Sequence, residues 1–199
     1  MSGPDDIAIL IPAAGAAARM LGRDKLVELV AGEPILRRTA RLAVGTGARV
    51  FVTLPVSGAF QARRLDALSG VALTLVPVAD PGEGMAASLR AGAAAAAGFA
   101  GLMILLPDMP EIDADDISNL MAAFAETPDR PLRATASDGT AGHPVILPAA
   151  LLPALGALRG DQGARSLLRA HPPRLVALAG RRAVTDLDTP EDWALWRAR

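Results

Sequence analysis

Short apolar runs alternate with helical stretches along most of the chain, and this alternation restricts the fold more than any other feature of the sequence. The clearest run, Ile7–Pro12, is apolar throughout and leads into a loop of small residues, a pattern typical of a strand buried on both faces. Further strands are predicted at residues 49–54, 72–78, 102–106, 145–147 and 175–178. Helices are predicted at residues 35–44, 59–68, 85–97, 114–125, 163–170 and 190–196. This order predicts an α/β fold, a Rossmann-like, doubly wound arrangement in which helices cover both faces of a largely parallel sheet.

The composition favours one globular domain over residues 1–199. Hydrophobic residues make up 51% of the chain and aromatic residues only 3%, so Ala, Leu and Val must form most of the core. The net charge is −1 without a polybasic run, which argues against nucleic-acid and membrane partners. There is no cysteine and only two histidines, which excludes disulfides and makes a structural zinc site implausible. Because no apolar run reaches about 18 residues and no basic region precedes the first one, we expect a cytoplasmic protein.

The loop after the first predicted strand combines small side chains with two cations, Arg19 and Lys25. Its small residues begin with Pro12, Ala13, Ala14 and Gly15 and continue through residues 16–18, which are all alanine. Small side chains let backbone N–H groups approach a polyphosphate closely, and the two cations can neutralise phosphate charge. The alternative is an ordinary strand–helix connection with surface charges. The loop has neither the GK[ST] ending of a P-loop nor the glycine spacing of a dinucleotide fingerprint.

Asp108 follows the apolar residues 102–106. It is therefore expected at the carboxyl end of a strand, where open α/β sheets bind their ligands. A carboxylate at this position can hold Mg²⁺ against a triphosphate. The alternative is a turn aspartate between Pro107 and Pro110.

Asp186 and Asp188 precede a predicted helix start at Thr189. Thr189 is suited to the N-cap, Pro190 to the first helical position, and Asp192 to the capping box. Capping accounts for Thr189 to Asp192 but leaves the two earlier aspartates without a role. Residue types alone do not assign a role to these two carboxylates or distinguish between them.

The stretch 12–26 resembles the loop of the MobA-like NTP transferases, written roughly AAGxSxRMxGxDKL, and in particular the molybdenum cofactor cytidylyltransferase branch. Later segments match that branch in order, at residues 83–89, 106–110, 142–145, 160–165 and 186–192. Each segment is short, but their order and spacing are specific and cover nearly the whole chain. One departure is Ala17, where the family usually carries serine; it removes a possible hydroxyl contact to phosphate.

The resemblance implies a three-layer αβα nucleotidyltransferase fold whose sheet becomes mixed near the acceptor. It implies transfer of CMP from CTP, or of another NTP's nucleotide, to a molybdopterin-type acceptor, which gives molybdopterin cytosine dinucleotide and pyrophosphate. Mg²⁺ would be the cofactor, held by Asp108 and by Asp186 or Asp188. Arg19, Lys25 and Asp108 would be the catalytic residues. A molybdoenzyme or its chaperone is a candidate partner.

The resemblance also divides the chain into an N-terminal part that binds NTP and a C-terminal part that binds the acceptor. Beside the loop it places Gly84 and Ser88 near the nucleoside; the alternative for Ser88 is an exposed helix serine. It assigns the acceptor to His143, Asp161, Gly163 and Arg165. On residue types alone, this segment suits an anion-binding helix start, with Asp161 as N-cap, Gly163 allowing a ligand to approach the backbone closely, and Arg165 supplying positive charge. The alternative is a plain helix cap without a ligand. Without the resemblance, the sequence favours the interpretation of His143 as a loop histidine whose hydrogen bonds are satisfied, because no catalytic partner is visible.

Three alternatives to this function remain open. The guanylyltransferase branch usually has Ala-Gly-Gly where this chain has Ala13-Ala14-Gly15, and the Ala14 methyl could fill space that guanine needs. The cytidylyltransferase of isoprenoid synthesis typically follows its loop with Pro-Lys-Gln, where this chain has Asp24-Lys25-Leu26. A non-catalytic carrier of the pterin cofactor would not need the cations and Asp108 together.

Overall fold

The computed structural model describes residues 6–15, 20–160 and 163–199. Strands in these ranges are β1 Ile7–Pro12, β2 Leu29–Val30, β3 Glu33–Pro34, β4 Val50–Pro55, β5 Thr74–Val78, β6 Gly101–Ile104, β7 Leu132–Thr135, β8 Ala141–Pro148 and β9 Arg174–Ala177. The helices are α1 Ile35–Gly45, α2 Gln61–Ala67, α3 Met85–Ala95, α4 Ala114–Ala125, α5 Leu152–Leu155, α6 Arg165–Ala170 and α7 Pro190–Arg197. Short 3-10 helices lie at Lys25–Val27, Pro81–Glu83, Ala149–Leu151 and Arg182–Val184.

One seven-stranded sheet has the order β5-β4-β1-β6-β8-β7-β9, and β2 and β3 form a separate hairpin. Only β8 in this sheet runs antiparallel to its neighbours; the other paired strands are parallel. The chain moves outward from β1 to β4 and β5, then returns to β6 on the other side of β1. The gap between the carboxyl ends of β1 and β6 is therefore a topological switch point, where doubly wound sheets bind ligands. The predicted mixed, mostly parallel αβα fold is confirmed.

The core lies on both faces of β1, whose six residues are all buried. Ile7, Ile9 and Ile11 belong to one apolar cluster with residues of α1 and α4. Ala8 and Leu10 belong to another, with residues of α3 and α5. Alternate side chains of a strand point to opposite faces, so an apolar run without polar alternation is what two helical layers require.

The small residues of α3 allow this helix to lie close to the sheet. A Cβ built on Gly92 would come within 2.2 Å of the Leu10 side chain. Ala93 and Ala96 are also buried, at 9% and 0% exposure. The buried side of this alanine-rich stretch thus packs on the sheet.

Some elements depart from the sequence prediction. Strand β7 was not predicted. It has only four residues, it begins directly after Pro131, and Arg133 interrupts its apolar pattern. Strand β8 extends well beyond residues 145–147. No helix in the described ranges is long and apolar enough to cross a bilayer.

Candidate functional site

Lys25, Asp108 and Asp188 meet beyond the carboxyl ends of β1 and β6. Lys25 begins a 3-10 helix, for which the Asp24 carboxylate accepts the Leu26 N–H at 3.1 Å. The Lys25 Nζ donates to Asp108 Oδ2 at 2.5 Å and to Asp188 Oδ1 at 2.6 Å. Burial alone would lower the pKa of Lys25, but the two carboxylates outweigh it and raise the pKa above its usual range. Three residues singled out in the sequence thus form one charged centre.

Backbone contacts fix this centre from the C-terminal side. The Leu187 N–H donates to the carbonyl of Asp108 at 3.0 Å, and the Leu187 side chain packs in a cluster with Trp193 and Ile35. Asp186 and Asp188 therefore flank Leu187, the residue that is hydrogen-bonded to the backbone of Asp108. The predicted capping box at Thr189 is present, so helix α7 starts where the sequence indicated and holds this segment in place.

The third aspartate, Asp186, is electrostatically coupled to the centre. Partial desolvation and the negative charges of Asp108 and Asp188 raise the pKa of its carboxyl above the usual range. Such a shift indicates that several carboxylates share one small region, where a cation would relieve their repulsion.

The carboxylates fit a divalent cation that a substrate helps to hold. Asp108 Oδ1 is buried and has no hydrogen-bond partner in the described part of the chain, an arrangement that is costly unless a cation or a hydrogen-bond donor satisfies the oxygen. Within that same part, no three His, Cys, Asp or Glu side chains form a ready-made metal cluster, and Lys25 lies between Asp108 and Asp188. Mg²⁺ is commonly held by one or two carboxylates, with water and substrate phosphates as its other ligands.

The small-residue loop lies next to this centre. Ala13 donates its N–H to the Thr53 carbonyl at 3.0 Å, which extends the β1–β4 pairing beyond Pro12 into the loop. Gly15 is exposed, and Arg19 lies outside the described residues. Ala14 is only 4% exposed and clusters with Val78 and Ala87. The protein therefore covers most of the Ala14 side chain, which leaves little of its surface for contact with a base.

A buried ion pair that the sequence did not indicate supports the loop. Arg64 donates to Asp24 through Nε and Nη2, each at 2.8 Å, and through Nη1 to the carbonyls of Ala13 at 2.7 Å and Gly15 at 2.8 Å. Arg64 is 1% exposed and Asp24 is 2% exposed. One guanidinium thus joins the start of the loop to the residue before Lys25. Nothing in the local pattern distinguishes Arg64 from its exposed neighbour Arg63.

The segment expected beside the nucleoside adjoins the one expected beside the acceptor. Gly84 precedes α3 with a φ of 74°, a left-handed backbone that glycine adopts without strain. Ser88 is 3% exposed, so it is not the exposed helix serine of the alternative interpretation. The Ala86 N–H donates to the carbonyl of Gly160 at 3.1 Å, which brings the first turn of α3 against the second segment.

A pocket of about 230 Å³ opens beside the charged centre. Three predicted site residues line it: His143 and Arg165 from the acceptor set, and Asp186. Asp161 lies outside the described residues. Helix α6 begins at Arg165, with Ala164 in the N-cap position. Gly163 is not among the residues that line this pocket.

Arg133, which the sequence analysis missed, also lines the pocket. Its Nε donates to the carbonyl of Gly142 at 2.9 Å. Burial, and then the charge of Arg133, lower the pKa of His143 to about 4, so this imidazole is neutral near pH 7. Burial and the charge of Arg165 lower the pKa of Arg133. Two guanidinium groups and a neutral imidazole at one apolar-walled pocket suit an anionic ligand with a ring or other apolar part.

Known proteins resemble the chain in both sequence and fold. The purine catabolism protein PucB of Bacillus subtilis strain 168 is 28% identical over 122 residues, which covers 60% of this chain and 58% of PucB. The crystal structure of Rv0371c from Mycobacterium tuberculosis H37Rv superimposes with a TM-score of 0.83 at 25% identity, over 97% of each chain. A manganese complex of Rv0371c superimposes with a TM-score of 0.76 at 24% identity, over 95% of this chain and 96% of that chain.

The sequence also matches the MobA-like NTP transferase domain over residues 9–175. This range includes the small-residue loop, Lys25, Asp108 and most of the pocket. It ends before Asp186 and Asp188, which are joined to the site by the Leu187 backbone contact. The chain therefore belongs to the family of proteins with a MobA-like NTP transferase domain.

Proposed function

We propose that this chain transfers CMP from CTP to a molybdopterin-type acceptor, with a divalent cation bound by Asp108 and Asp188. The observation that carries the proposal is the Lys25–Asp108–Asp188 centre, which lies between the small-residue loop and a pocket with two arginines. Phosphate chemistry needs positive charge next to metal-binding carboxylates, and it needs a second compartment for the acceptor.

The reaction is an in-line displacement at the α-phosphorus of CTP. A phosphate oxygen of the acceptor forms the new bond to the α-phosphorus, the bond to the bridging oxygen breaks, and pyrophosphate leaves with both electrons of that bond. Because a phosphate oxygen is already anionic at pH 7, no general base is required. Because its pKa is lowered to about 4, the His143 imidazole is a weak base. This agrees with a reaction that does not need a general base.

Catalysis then consists of positioning and charge stabilisation by this chain's own residues. Lys25, together with Arg19, stabilises negative charge on the phosphate oxygens of the NTP. Asp108 and Asp188 hold the cation, with Asp186 close by. When bound, Mg²⁺ or Mn²⁺ acts as a Lewis acid towards the phosphoryl oxygens.

The pocket suits the acceptor. Arg133 and Arg165 provide positive charge for an anionic substituent, and the apolar walls, which include Leu106 and Met109, suit a flat ring system. Molybdopterin combines a ring system with a phosphate. Base preference is the finer part of the proposal, and it rests on the resemblance of Pro12-Ala13-Ala14-Gly15 to the cytidylyltransferase loop.

An NTP screen tests this proposal. The protein is mixed with Mg²⁺, each of the four NTPs and molybdenum cofactor, and the dinucleotide is identified by mass spectrometry. We expect cytosine dinucleotide and an equal amount of pyrophosphate. Guanine dinucleotide would favour the guanylyltransferase branch. Transfer only to the phosphorylated polyol of isoprenoid synthesis, included as a second acceptor, would replace the acceptor assignment. Acceptor binding without pyrophosphate release from any NTP would favour a carrier.

A further inference from the structure

Lys25 is the only lysine in the chain, whereas the other 19 of the 20 basic residues are arginines. Wherever else the protein uses a permanent cation, it uses a guanidinium. A lysine ammonium differs from a guanidinium because it is a compact point charge on a flexible stem. Lys25 therefore places a compact positive charge, similar in this respect to a metal ion, at this one position.

The contacts of Lys25 resemble those of a bound metal. Its Nζ is 2.5 Å from Asp108 Oδ2 and 2.6 Å from Asp188 Oδ1, and these oxygens come from segments 80 residues apart in the chain. Asp108 is 9% exposed, and its other oxygen, Oδ1, is buried without a partner in the described ranges. Two carboxylates converge on one small cation, and a further oxygen beside them is available. This is the oxygen-rich arrangement that a divalent cation also requires.

The ammonium and a divalent cation cannot both occupy this space. They would compete for the same carboxylate oxygens, and their like charges would repel at a separation of a few ångströms. A triphosphate removes the conflict, because its oxygens can bind the ammonium and also complete the coordination of the metal.

We propose that Lys25 is a tethered substitute for the divalent cation in the nucleotide-free protein. Its ammonium occupies the space between Asp108 and Asp188, and the phosphates of the NTP draw it away as the metal enters. Metal binding is therefore weak without nucleotide and strong with it. The inference rests on the proposed function only in that it assigns the metal to these carboxylates.

Binding of Mn²⁺ to the nucleotide-free protein, measured by electron paramagnetic resonance, tests the competition. Lys25→Met should bind Mn²⁺ at least about tenfold more tightly than wild type, the scale expected when one like charge is removed a few ångströms from the ion. Lys25→Arg, which keeps the charge, should not show this gain. Arg23→Gln is the matched control: it removes a mostly exposed cation two residues away, whose Nη1 is 3.7 Å from Glu28 Oε1. Its affinity should stay within twofold of wild type.

The wild-type protein provides a second measurement that does not depend on how Lys25→Met folds. Protein labelled with ¹³Cε-lysine gives one lysine side-chain signal, which reports Lys25 directly. Mg²⁺ with a non-hydrolysable analogue of the NTP that the screen identifies should shift this signal. Mg²⁺ alone, at the same concentration, should leave it nearly unchanged.

The proposal is overturned if Lys25→Met is folded and its Mn²⁺ affinity is unchanged or weaker. It is also overturned if the lysine signal does not move when the Mg²⁺–nucleotide analogue binds. Neither result would contradict nucleotidyl transfer, which is measured by product formation. Conversely, a failure to form any product would leave the competition between Lys25 and Mn²⁺ measurable.

Discussion

The two carboxylate oxygens of Asp108 have different surroundings: Oδ2 accepts a hydrogen bond from Lys25, whereas Oδ1 is buried without a partner among the described residues. Asp108→Asn keeps the size of the side chain but removes its charge. We expect a folded protein whose transfer rate falls by about 10²-fold or more, the scale of one electrostatic contact to a transition state. Single-turnover product formation at saturating Mg²⁺ measures this. Activity within a few-fold of wild type would remove Asp108 from the metal site.

Arg64 acts on the same centre through the loop rather than through substrate. In Arg64→Met the buried Asp24 carboxylate loses its partner, which costs about 3–5 kcal/mol of unfolding free energy in comparable pairs. Urea unfolding measures the loss. Arg63→Met, an exposed neighbour on the same helix, should change stability by no more than about 0.5 kcal/mol. Equal effects of the two substitutions would show that the buried pair has no special role.

His143 predicts a pH dependence of stability. Its pKa is lowered from 6.5 to about 4 by burial and the charge of Arg133. Below pH 6.5 the unfolded chain gains a proton that the folded chain does not accept until near pH 4, so folding stability falls as the pH drops through this window. We expect His143 to account for about 2 kcal/mol of loss between pH 7 and pH 5.

The measurement is the unfolding free energy at these two pH values. His143→Gln should lose this part of the pH dependence, whereas His171→Gln, at an exposed position, should keep it. An unchanged pH profile in His143→Gln would mean that the imidazole is protonated in the folded protein at pH 5.

At the scale of elements, the shape of the proposed acceptor pocket depends on how closely β8 packs against the 3-10 helix at Arg182–Val184. A Cβ built on Gly142 would lie 1.8 Å from the carbonyl oxygen of Ala183. Gly142→Ala must therefore move one of these backbones, and with it His143 or Asp186. A displacement of about 1 Å in a site can cost about 10²-fold in rate. We expect kcat/KM for the acceptor to fall on this scale while KM for the NTP changes little.

Gly45→Ala at the end of α1 is the control, since nothing lies within 4 Å of a Cβ at that position. It should leave both substrates' kinetics as in wild type. A Gly142→Ala protein with normal acceptor kinetics would show that this packing does not shape the pocket. A loss of NTP affinity of equal size would show that the two compartments are not separate.

Comparison of the predicted and observed elements shows which of them are determined by the local sequence. Helix α4 was predicted with its observed bounds, Ala114–Ala125, and the structure shows that a capping box stabilises its start. Strand β1 was predicted to the residue, because it is apolar throughout and ends at a loop of small residues. Strand β7 was missed, because four residues with a central arginine carry too little pattern and depend on β8 and β9 for their pairing.

The site residues likewise fall into those that a local motif identifies and those that only the folded structure reveals. Lys25 and Asp108 were identified because each lies in a recognisable local motif. Arg64 and Arg133 were missed, since their roles depend on partners brought near by folding; Arg64 meets Asp24 across 40 residues of sequence. The sequence did not distinguish Asp186 from Asp188 either, whereas the tertiary structure shows that Asp188 accepts a hydrogen bond from Lys25.

At the scale of the whole molecule, the topology brings distant segments to one edge of the sheet. The switch point between β1 and β6 lies beside the small-residue loop, the charged centre and the pocket. In the proposed function, the N-terminal half of the chain binds the NTP and the C-terminal half binds the acceptor. Nucleotidyl transfer between them requires that the bond between the α-phosphorus and the bridging oxygen is the one that breaks.

Two labelled forms of the nucleotide test that claim directly. The protein is incubated with Mg²⁺, molybdenum cofactor and CTP labelled with ³²P at either the α or the γ position. We expect the α label to appear in the acceptor product and the γ label in pyrophosphate, in equal amounts. A γ label on the acceptor would mean phosphoryl transfer, and CTP left intact beside a bound acceptor would mean no transfer at all; either result would contradict nucleotidyl transfer at this centre.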